Sequence, residues 1–411
     1  MKKNIISIIA FLGIYLFVTG TSFAVFTFVL PSSLNIINQN NDQDQATTQT
    51  QAQKDSKFKM LLDVSGPKTE VCPINGALFN KTEKDSWMKR RPLLVMIENH
   101  EEARPQSGLS NADVIYETVA EGGITRFMGV YYCNAQAYEV MLGPIRSARS
   151  YYLDWASEYG NNPLYTHVGG ANCNHGCPGS TSKADALGQI EKYGWGGAMG
   201  NDLSQYSIGY PTFWRDYERL GHTVATEHTM YSTTERLWAV AAKRDWNYTD
   251  SDDVAWDEDF VPWKFADESK IEQGTTNKVS YNFWANSPAG DYSVSWDYEP
   301  TSKLYKRLQS GQPHIDLNTN EQLTAKNLVV MYSVESNAND GYPNNAHLVY
   351  GLIGKGKAVL FQDGNAEKLT WEKKTRTART IYYGEDGKEI QFLPGTVWIS
   401  NIPVGDTSLE Y

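Results

Sequence analysis

Two arginines, Arg146 and Arg149, lie three positions apart in the segment LGPIRSAR, at the start of a predicted helix. The free N–H groups and the dipole already make a helix start positive, so acidic residues are usual there. Two guanidinium groups at this end are typical of an anion site, because each can form two hydrogen bonds with paired oxygens. The anion is either a ligand or the protein's own Glu117 or Glu121.

Other polar residues lie at the ends of predicted strands, where ligands bind in open α/β sheets. Carboxylates and imidazoles can transfer protons, so the candidates for catalysis are Glu98, Glu117, His167 and His228. The expected ligand-binding residues are Asn99, Arg104, Gln106, Glu121, Arg126, Arg146, Arg149 and Arg215. The alternative interpretation is structural, with the arginines in salt bridges and the histidines as satisfied polar groups.

The four cysteines are compatible with disulfides in a protein outside the cytoplasm: Cys72, Cys133, Cys173 and Cys177. Cys173 and Cys177 flank His175 in a Gly- and Asn-rich loop, and we predict a local disulfide between them. Free thiols, or a metal site that adds His167, are the alternatives. The spacing does not match familiar zinc sites, so we predict no metal site and no cofactor. A disulfide between Cys72 and Cys133 is also possible, but its only support is that these two cysteines are the remaining pair.

The amino-terminal residues predict a membrane anchor. Residues 5–30 carry no charge and are long enough to cross a hydrocarbon core of roughly 30 Å. Lys2 and Lys3 predict a cytoplasmic amino terminus, with the folded domains outside. A signal peptide cleaved after Ala24 is the alternative. Residues 31–57 are rich in Gln, Asn and Thr, and we predict a flexible linker there.

The folded part contains two kinds of sequence pattern, and we predict an α+β fold. An α/β-type domain with a mixed sheet covers residues 58–245, an acidic linker covers 246–275, and a mostly antiparallel β domain covers 276–411. Strands are predicted at 92–98, 113–119, 126–132 and 164–168. Gly122 and Gly123 predict a tight hairpin turn.

Two helices are predicted in the first domain. In the helix after Arg149, one buried face is formed by Tyr152, Trp155, Ala156 and Tyr159. The second helix covers 232–244, and Ser232 with Glu235 predicts a capping box at its start.

Long motifs carry a resemblance to a known family. The segments RPLLVMIENHEEARPQSGLSNADVIYE, EGGITRFMGVYY, GPIRSARSYYLDWASEYG and EHTMYSTTERL resemble the first domain of the YerB family. The segments YSVSWDYEPTSKLYKRLQSGQPHID and LIGKGKAVLFQDGNAEKLTWEKK resemble its second domain. The resemblance implies a two-domain envelope protein held at the membrane, commonly as a lipoprotein, and it implies no activity. In this chain a predicted transmembrane helix replaces the lipidated cysteine.

Three classes of function remain open. The formal net charge of −11 argues against nucleic acid as a partner. The first hypothesis is a binding module for an anionic cell-envelope ligand, held in an arginine-rich pocket. The second is a hydrolase or phosphotransferase acting on cell-wall material, although no familiar nucleophile motif is present. The third is an envelope scaffold whose aromatic β domain binds a protein partner.

Overall fold

The computed structural model describes residues 59–172, 183–284, 291–340 and 347–411. They are mostly β-structure with few helices, and they belong to one compact unit, Lys57–Tyr411. The predicted anchor at 1–30, the linker at 31–57 and the pair Cys173 and Cys177 lie outside the described residues. None of the helices in the described ranges is long and apolar enough to cross a membrane.

The first half of the chain contains short strands and all the α-helices of the described residues. The strands are β1 Glu70–Val71, β2 Leu78–Phe79, β3 Leu93–Glu98, β4 Val114–Glu121, β5 Ile124–Tyr131, β6 Met141–Leu142, β7 Leu164–His167, β8 Asp202–Ser204, β9 Trp214–Arg215 and β10 Met230–Thr233. The helices are α1 Lys81–Trp87, α2 Ser150–Ala156, α3 Ala186–Lys192, α4 Gln205–Ile208 and α5 Thr234–Lys243. The four predicted strands correspond to β3, β4, β5 and β7.

The second half is built from strands joined mainly by tight turns. They are β11 Lys264–Phe265, β12 Lys278–Tyr281, β13 Val294–Glu299, β14 Leu304–Gln309, β15 Gln312–Pro313, β16 Ile315–Asp316, β17 Glu321–Gln322, β18 Thr324–Ala325, β19 Asn327–Asn337, β20 Leu348–Gly351, β21 Gly354–Gln362, β22 Asn365–Lys373, β23 Ile381–Tyr383, β24 Gln391–Phe392 and β25 Val397–Pro403. Alternating burial along β13 and β14 indicates sheets with one face on the core.

Strands from both halves form one mixed sheet, in the order β23-β22-β21-β19-β25-β4-β5-β3-β7-β8, with β20 also paired to β19. The last strand, β25, pairs in parallel with β19 on one side and with β4 on the other. Antiparallel pairs join β4 to β5 and β5 to β3, and parallel pairs continue to β7 and β8. The carboxyl-terminal strand therefore connects the two predicted domains within a single sheet.

Residues 246–275 pack against both halves of the chain. Trp256 is fully buried, and its indole N–H donates to the hydroxyl of Tyr132 at 3.1 Å. Trp263 is buried as well, and its indole donates to the carbonyl of Thr380 at 2.8 Å. The short strand β11 pairs in parallel with β24. The segment is irregular and acidic, but its two tryptophans fix it to the core.

The helices differ in detail from their prediction. Tyr152, Trp155 and Tyr159 are buried as expected, and Tyr151 and Leu153 are buried too, so α2 is apolar on nearly every side. The reason is that α2 packs both on the sheet and against Tyr350 of β20, whose ring centre lies 5.1 Å from that of Tyr151.

The predicted capping box of α5 is wrong. Thr233, one residue after Ser232, caps the helix by accepting the N–H of Arg236 at 3.2 Å. Ser232 instead belongs to β10, and its hydroxyl donates to the carbonyl of Thr212 at 2.8 Å.

A disulfide joins Cys72 to Cys133, which lie 61 positions apart. Both cysteines are fully buried. The bridge ties the segment that contains β1 and β2 to the residues just after β5. A loop of this length loses much conformational freedom in the unfolded chain, so the bridge stabilises the fold.

Candidate functional site

Glu98, the last residue of β3, organises a cluster of charged side chains. One of its carboxylate oxygens lies 3.2 Å from Nε of Arg146, and the other accepts a hydrogen bond from Nδ1 of His228 at 2.9 Å. Only 3% of the Glu98 side chain is exposed, against 24% of Arg146. Three predicted site residues, far apart in sequence, therefore meet here, and the two contacts fix the orientation of the carboxylate.

Backbone pairing brings these residues together. The N–H of Glu98 donates to the carbonyl of Pro144, and the N–H of Arg146 donates to the carbonyl of Met96, both at 2.9 Å. The segment before α2 therefore runs beside the end of β3. On its other side, the N–H of Ile145 donates to the carbonyl of Met230, two residues after His228.

His100 and Glu102 complete what we call the Glu98 cluster, together with Glu98, Arg146 and His228. The rings of His100 and His228 are stacked, with their centres 4.7 Å apart. Nε2 of His228 lies 3.7 Å from a carboxylate oxygen of Glu102. Sequence reasoning missed His100 and Glu102, although both directly follow β3 in the motif ENHEE.

The environment of His228 shifts its titration. Burial lowers the pKa of this imidazole, but the hydrogen bond and the charge of Glu98 outweigh burial, and the pKa is raised. A histidine oriented by a carboxylate through Nδ1 presents Nε2 for proton transfer or metal binding.

A second group, the Glu121 cluster, contains two of the predicted arginines. Glu121 lies 3.0 Å from Arg126 and is also paired with Arg149 and, at 3.4 Å, with His347. Both arginine side chains are almost completely buried. Burial alone would raise the pKa of Glu121, but the charges of Arg149 and Arg126 hold it well below its usual range. The anion that Arg149 binds is therefore the protein's own glutamate.

A third group, the junction network, lies where the two halves of the chain meet. Arg307 of β14 donates to Glu117 of β4 at 2.9 Å, and both side chains are completely buried. Nε of Arg307 donates to Nδ1 of His314, whose Nε2 donates to the amide oxygen of Gln106 at 2.7 Å. Gln106 then donates to the carbonyl of Glu98 at 3.0 Å.

Titration in the junction network follows from burial. Burial raises the pKa of Glu117 despite the nearby Arg307. Burial and the charge of Arg307 hold the pKa of His314 well below its usual range, so this imidazole is neutral. Sequence reasoning missed Arg307 and His314. The sequence of β14 gives no clear signal, because Leu304 and Leu308 alternate with Arg307, and only the structure shows that Arg307 lies on the buried face.

Four other predicted residues lie outside the Glu98 cluster. Asn99 and Arg104 belong to the junction network, since the amide oxygen of Asn99 accepts hydrogen bonds from Gln106 at 2.9 Å and from Nε of Arg104 at 3.1 Å. His167 is buried and donates from Nε2 to Asp202 at 2.8 Å. Arg215 is exposed, and it donates to the hydroxyl of Thr229 at 3.2 Å.

A separate cavity of about 610 Å³ is lined by basic side chains that sequence reasoning did not select. The cavity is lined by three basic residues, Lys59, Arg219 and Arg236. One acidic residue, Glu139, also lines it. The guanidinium of Arg236 lies 4.4 Å above the ring of Trp214, which also lines the wall. We call this site the basic cavity.

Hydrogen bonds hold the side chains of the basic cavity in place. Nε of Arg219 donates to the hydroxyl of Ser107 at 2.9 Å, and its Nη2 donates to Asn318 at 2.5 Å. The carboxylate of Glu139 accepts the hydroxyl of Thr233 at 2.9 Å. The cavity therefore combines residues of both halves of the chain.

The fold and these clusters define a β-rich protein whose two domains share one sheet. The chain belongs to the DUF3048 family. Residues 79–247 match the model described as "Protein of unknown function (DUF3048) N-terminal domain", and residues 280–399 match the corresponding C-terminal domain. This confirms the predicted family and places its two domains on either side of the segment that contains Trp256 and Trp263.

The chain is similar to YerB of Bacillus subtilis. It is 25% identical over 324 residues to the protein named "Putative lipoprotein YerB" from strain 168, covering 79% of this chain and 84% of that protein. The crystal structure of YerB from Bacillus subtilis superposes with a TM-score of 0.64 at 24% identity. The superposition covers 84% of this chain and 100% of that one, and it supports the fold.

Proposed function

We propose that this protein is a binding module for an anionic ligand of the cell envelope, held in the basic cavity. The supporting observation is charge. Three cations and one carboxylate line the cavity, in a chain whose formal net charge is −11. Guanidinium groups bind carboxylate and phosphate oxygens through charge-assisted hydrogen bonds. A volume of about 610 Å³ lies within the range of small-molecule sites and fits a sugar phosphate or a muramic acid unit.

The donors in the cavity support this assignment. Arg236 donates to the carbonyl of Pro211 through Nη1, and among the described residues no hydrogen bond reaches its Nε or Nη2. The ring of Trp214 supports the plane of this guanidinium. A donor that is already oriented loses less conformational freedom when a ligand binds.

We also propose that the protein is held at the membrane, with its folded part outside the cytoplasm. The uncharged residues 5–30 behind Lys2 and Lys3 support this, as does the word lipoprotein in the name of the Bacillus relative. An alkaline wash should leave the chain in the membrane fraction, and protease added outside the membrane should digest it. Recovery in the cytosol would contradict this location.

Thermal unfolding of the full chain tests the basic cavity. We would use inorganic phosphate, glycerol 3-phosphate and N-acetylmuramic acid as probes. A probe at a hundred times its Kd should stabilise the protein by roughly 2.7 kcal/mol. Arg236→Gln should weaken binding by about 10- to 100-fold, because a charge-assisted hydrogen bond contributes ~1.5–3 kcal/mol.

Arg90→Gln is the matched control. Arg90 also lies over a tryptophan, 4.3 Å from the ring centre of Trp238, but it pairs with Glu235 and does not line the cavity. It should leave probe binding unchanged. Equal losses in the two variants, or no stabilisation by any probe, would refute the anion site.

A further inference from the structure

We propose that His100, Glu102 and His228 bind a divalent metal ion, with zinc as the best match. One ligand atom from each of the three side chains lies within 4.8 Å of the other two. Two imidazole nitrogens and one carboxylate oxygen are the protein ligands of many zinc sites that keep a fourth position open. This inference does not depend on the basic cavity, which is lined by other residues.

The orientation of His228 is the strongest support. Its Nδ1 lies 2.9 Å from Glu98, and because a carboxylate accepts hydrogen bonds, Nδ1 carries the proton. The lone pair of the neutral ring is then on Nε2, the atom that lies 3.7 Å from Glu102. Metal-binding histidines usually donate their other N–H to a carboxylate or carbonyl in this way, which fixes the ring and raises its basicity. We therefore assign Glu98 the role of a positioning residue.

The charges near the site suit a cation. Glu98 and Glu102 provide two carboxylates, and Glu227 directly precedes His228 in the chain. The nearby cation Arg146 contacts Oε1 of Glu98, whereas His228 contacts Oε2. Arg146 therefore balances the charge of Glu98 and makes no ion pair with the three proposed ligand residues.

The stacked rings predict a local rearrangement. The rings of His100 and His228 are stacked, with their planes 14° apart, so their in-plane lone pairs run side by side in separate planes and cannot converge on one ion. Metal binding therefore has to turn the ring of His100 out of the stack. The turn breaks the 3.2 Å hydrogen bond that Nδ1 of His100 accepts from the N–H of Glu102. His100 is only partly buried, so its ring has room to move.

Calorimetric titration of zinc into the full chain tests the site. The protein should carry no histidine tag, and a chelator should first remove any bound metal. We expect one zinc ion per chain at the cluster. The zinc affinity should fall by about 10- to 100-fold in Glu98→Gln, which removes the positioning residue. It should fall further in each variant that removes a ligand, namely His228→Ala, His100→Ala and Glu102→Gln. NMR of the ring protons should show His100 and His228 separating on zinc addition.

His222→Ala is the matched control, because His222 is an exposed histidine whose Nδ1 contacts the carbonyl of Leu220. It should bind zinc like the parent protein. Glu102 is 51% exposed, so Glu102→Gln should fold normally, which circular dichroism verifies.

Cobalt(II) added in place of zinc reports the type of ligand through its absorption spectrum. An ion bound by nitrogen and oxygen gives a spectrum without the charge-transfer bands of a cobalt thiolate. Thiolate bands that disappear in the Cys173→Ser, Cys177→Ser double variant would assign the ion to those cysteines and overturn the proposal. Unchanged zinc affinity in Glu102→Gln and His228→Ala, or no binding to the parent protein, would overturn it as well.

Discussion

At the residue scale, three of the predicted arginines have their anion within the protein. Arg126 and Arg149 share Glu121, while Arg146 contacts Glu98. The residue types and their places at strand ends could be predicted from the sequence. Which charge pairs with which could not, because the pairs depend on how the segment before α2 lies across β3 and the β4–β5 hairpin. His100 and Glu102 were missed because their significance comes from His228, which is distant in sequence.

Glu121→Gln should lower the free energy of unfolding by about 3 kcal/mol, because it leaves two buried guanidinium groups without a full counter-charge. The folded-state pKa of Glu121 is lowered. Its contribution is therefore fully present above the unfolded-state pKa of about 4.3 and is lost as pH falls below that value. Urea unfolding should be measured at pH 7 and at about pH 3. The free energy of unfolding should fall less between these two pH values in the variant than in the parent protein.

Glu299→Gln provides the control for this prediction. Glu299 pairs with Lys306 at 2.9 Å, but both side chains are well exposed to solvent. Solvent screens such a pair, so this variant should unfold like the parent protein. Equal stability of the Glu121 and Glu299 variants would show that Glu121 does not hold the buried arginines.

At the element scale, the β4–β5 hairpin determines where the Glu121 cluster forms. Gly122 and Gly123 have φ values of 57° and 88°, as a two-residue hairpin turn requires. The turn pairs Glu121 with Ile124 and places Arg126 beside Glu121. Local patterns predicted this hairpin and strands β3 and β7, because glycine pairs and apolar runs are local signals. They misplaced the cap of α5 by one residue, because the capping-box pattern of Ser232 and Glu235 favours Ser232 in sequence, whereas the structure keeps Ser232 within β10.

Gly122→Val should lower the free energy of unfolding by about 1–2 kcal/mol, because a β-branched residue is strained at positive φ. A Cβ at this position would meet no atom within 4 Å, so the cost is conformational and not steric. Gly122→Asn is the matched variant, because asparagine tolerates this backbone region, and it should cost less. Urea midpoints measure both, and equal midpoints would contradict a left-handed turn.

At the scale of the whole molecule, β25 and the buried junction network make the two family domains interdependent. Glu117 and Arg307 are completely buried and come from different domains. Removing the second domain together with β25 would leave Glu117 unpaired in the core and expose the edge of β4, and removing the first domain would leave Arg307 unpaired. The sequence could not predict this arrangement, because parallel pairing between distant strands leaves no local pattern.

We therefore expect a single cooperative unfolding transition. Tryptophan fluorescence and far-ultraviolet circular dichroism should give the same urea midpoint, since buried tryptophans such as Trp155 and Trp398 lie in both halves. A chain that ends at residue 396, and so lacks β25, should lose the ordered structure of both domains. Two separate transitions, or a first domain that stays folded in the shortened chain, would contradict this expectation.

The position of β25 also has a consequence for synthesis. Thr118 donates a hydrogen bond to the carbonyl of Asn401, a partner 283 positions later in the chain. At roughly 5–20 residues per second, the ribosome needs tens of seconds to deliver that partner. During this interval β4 keeps an open edge, which can pair with other chains. The nascent chain is therefore prone to aggregate until β25 has been synthesised. A chaperone that covers the edge of β4 would raise the yield of correctly folded molecules.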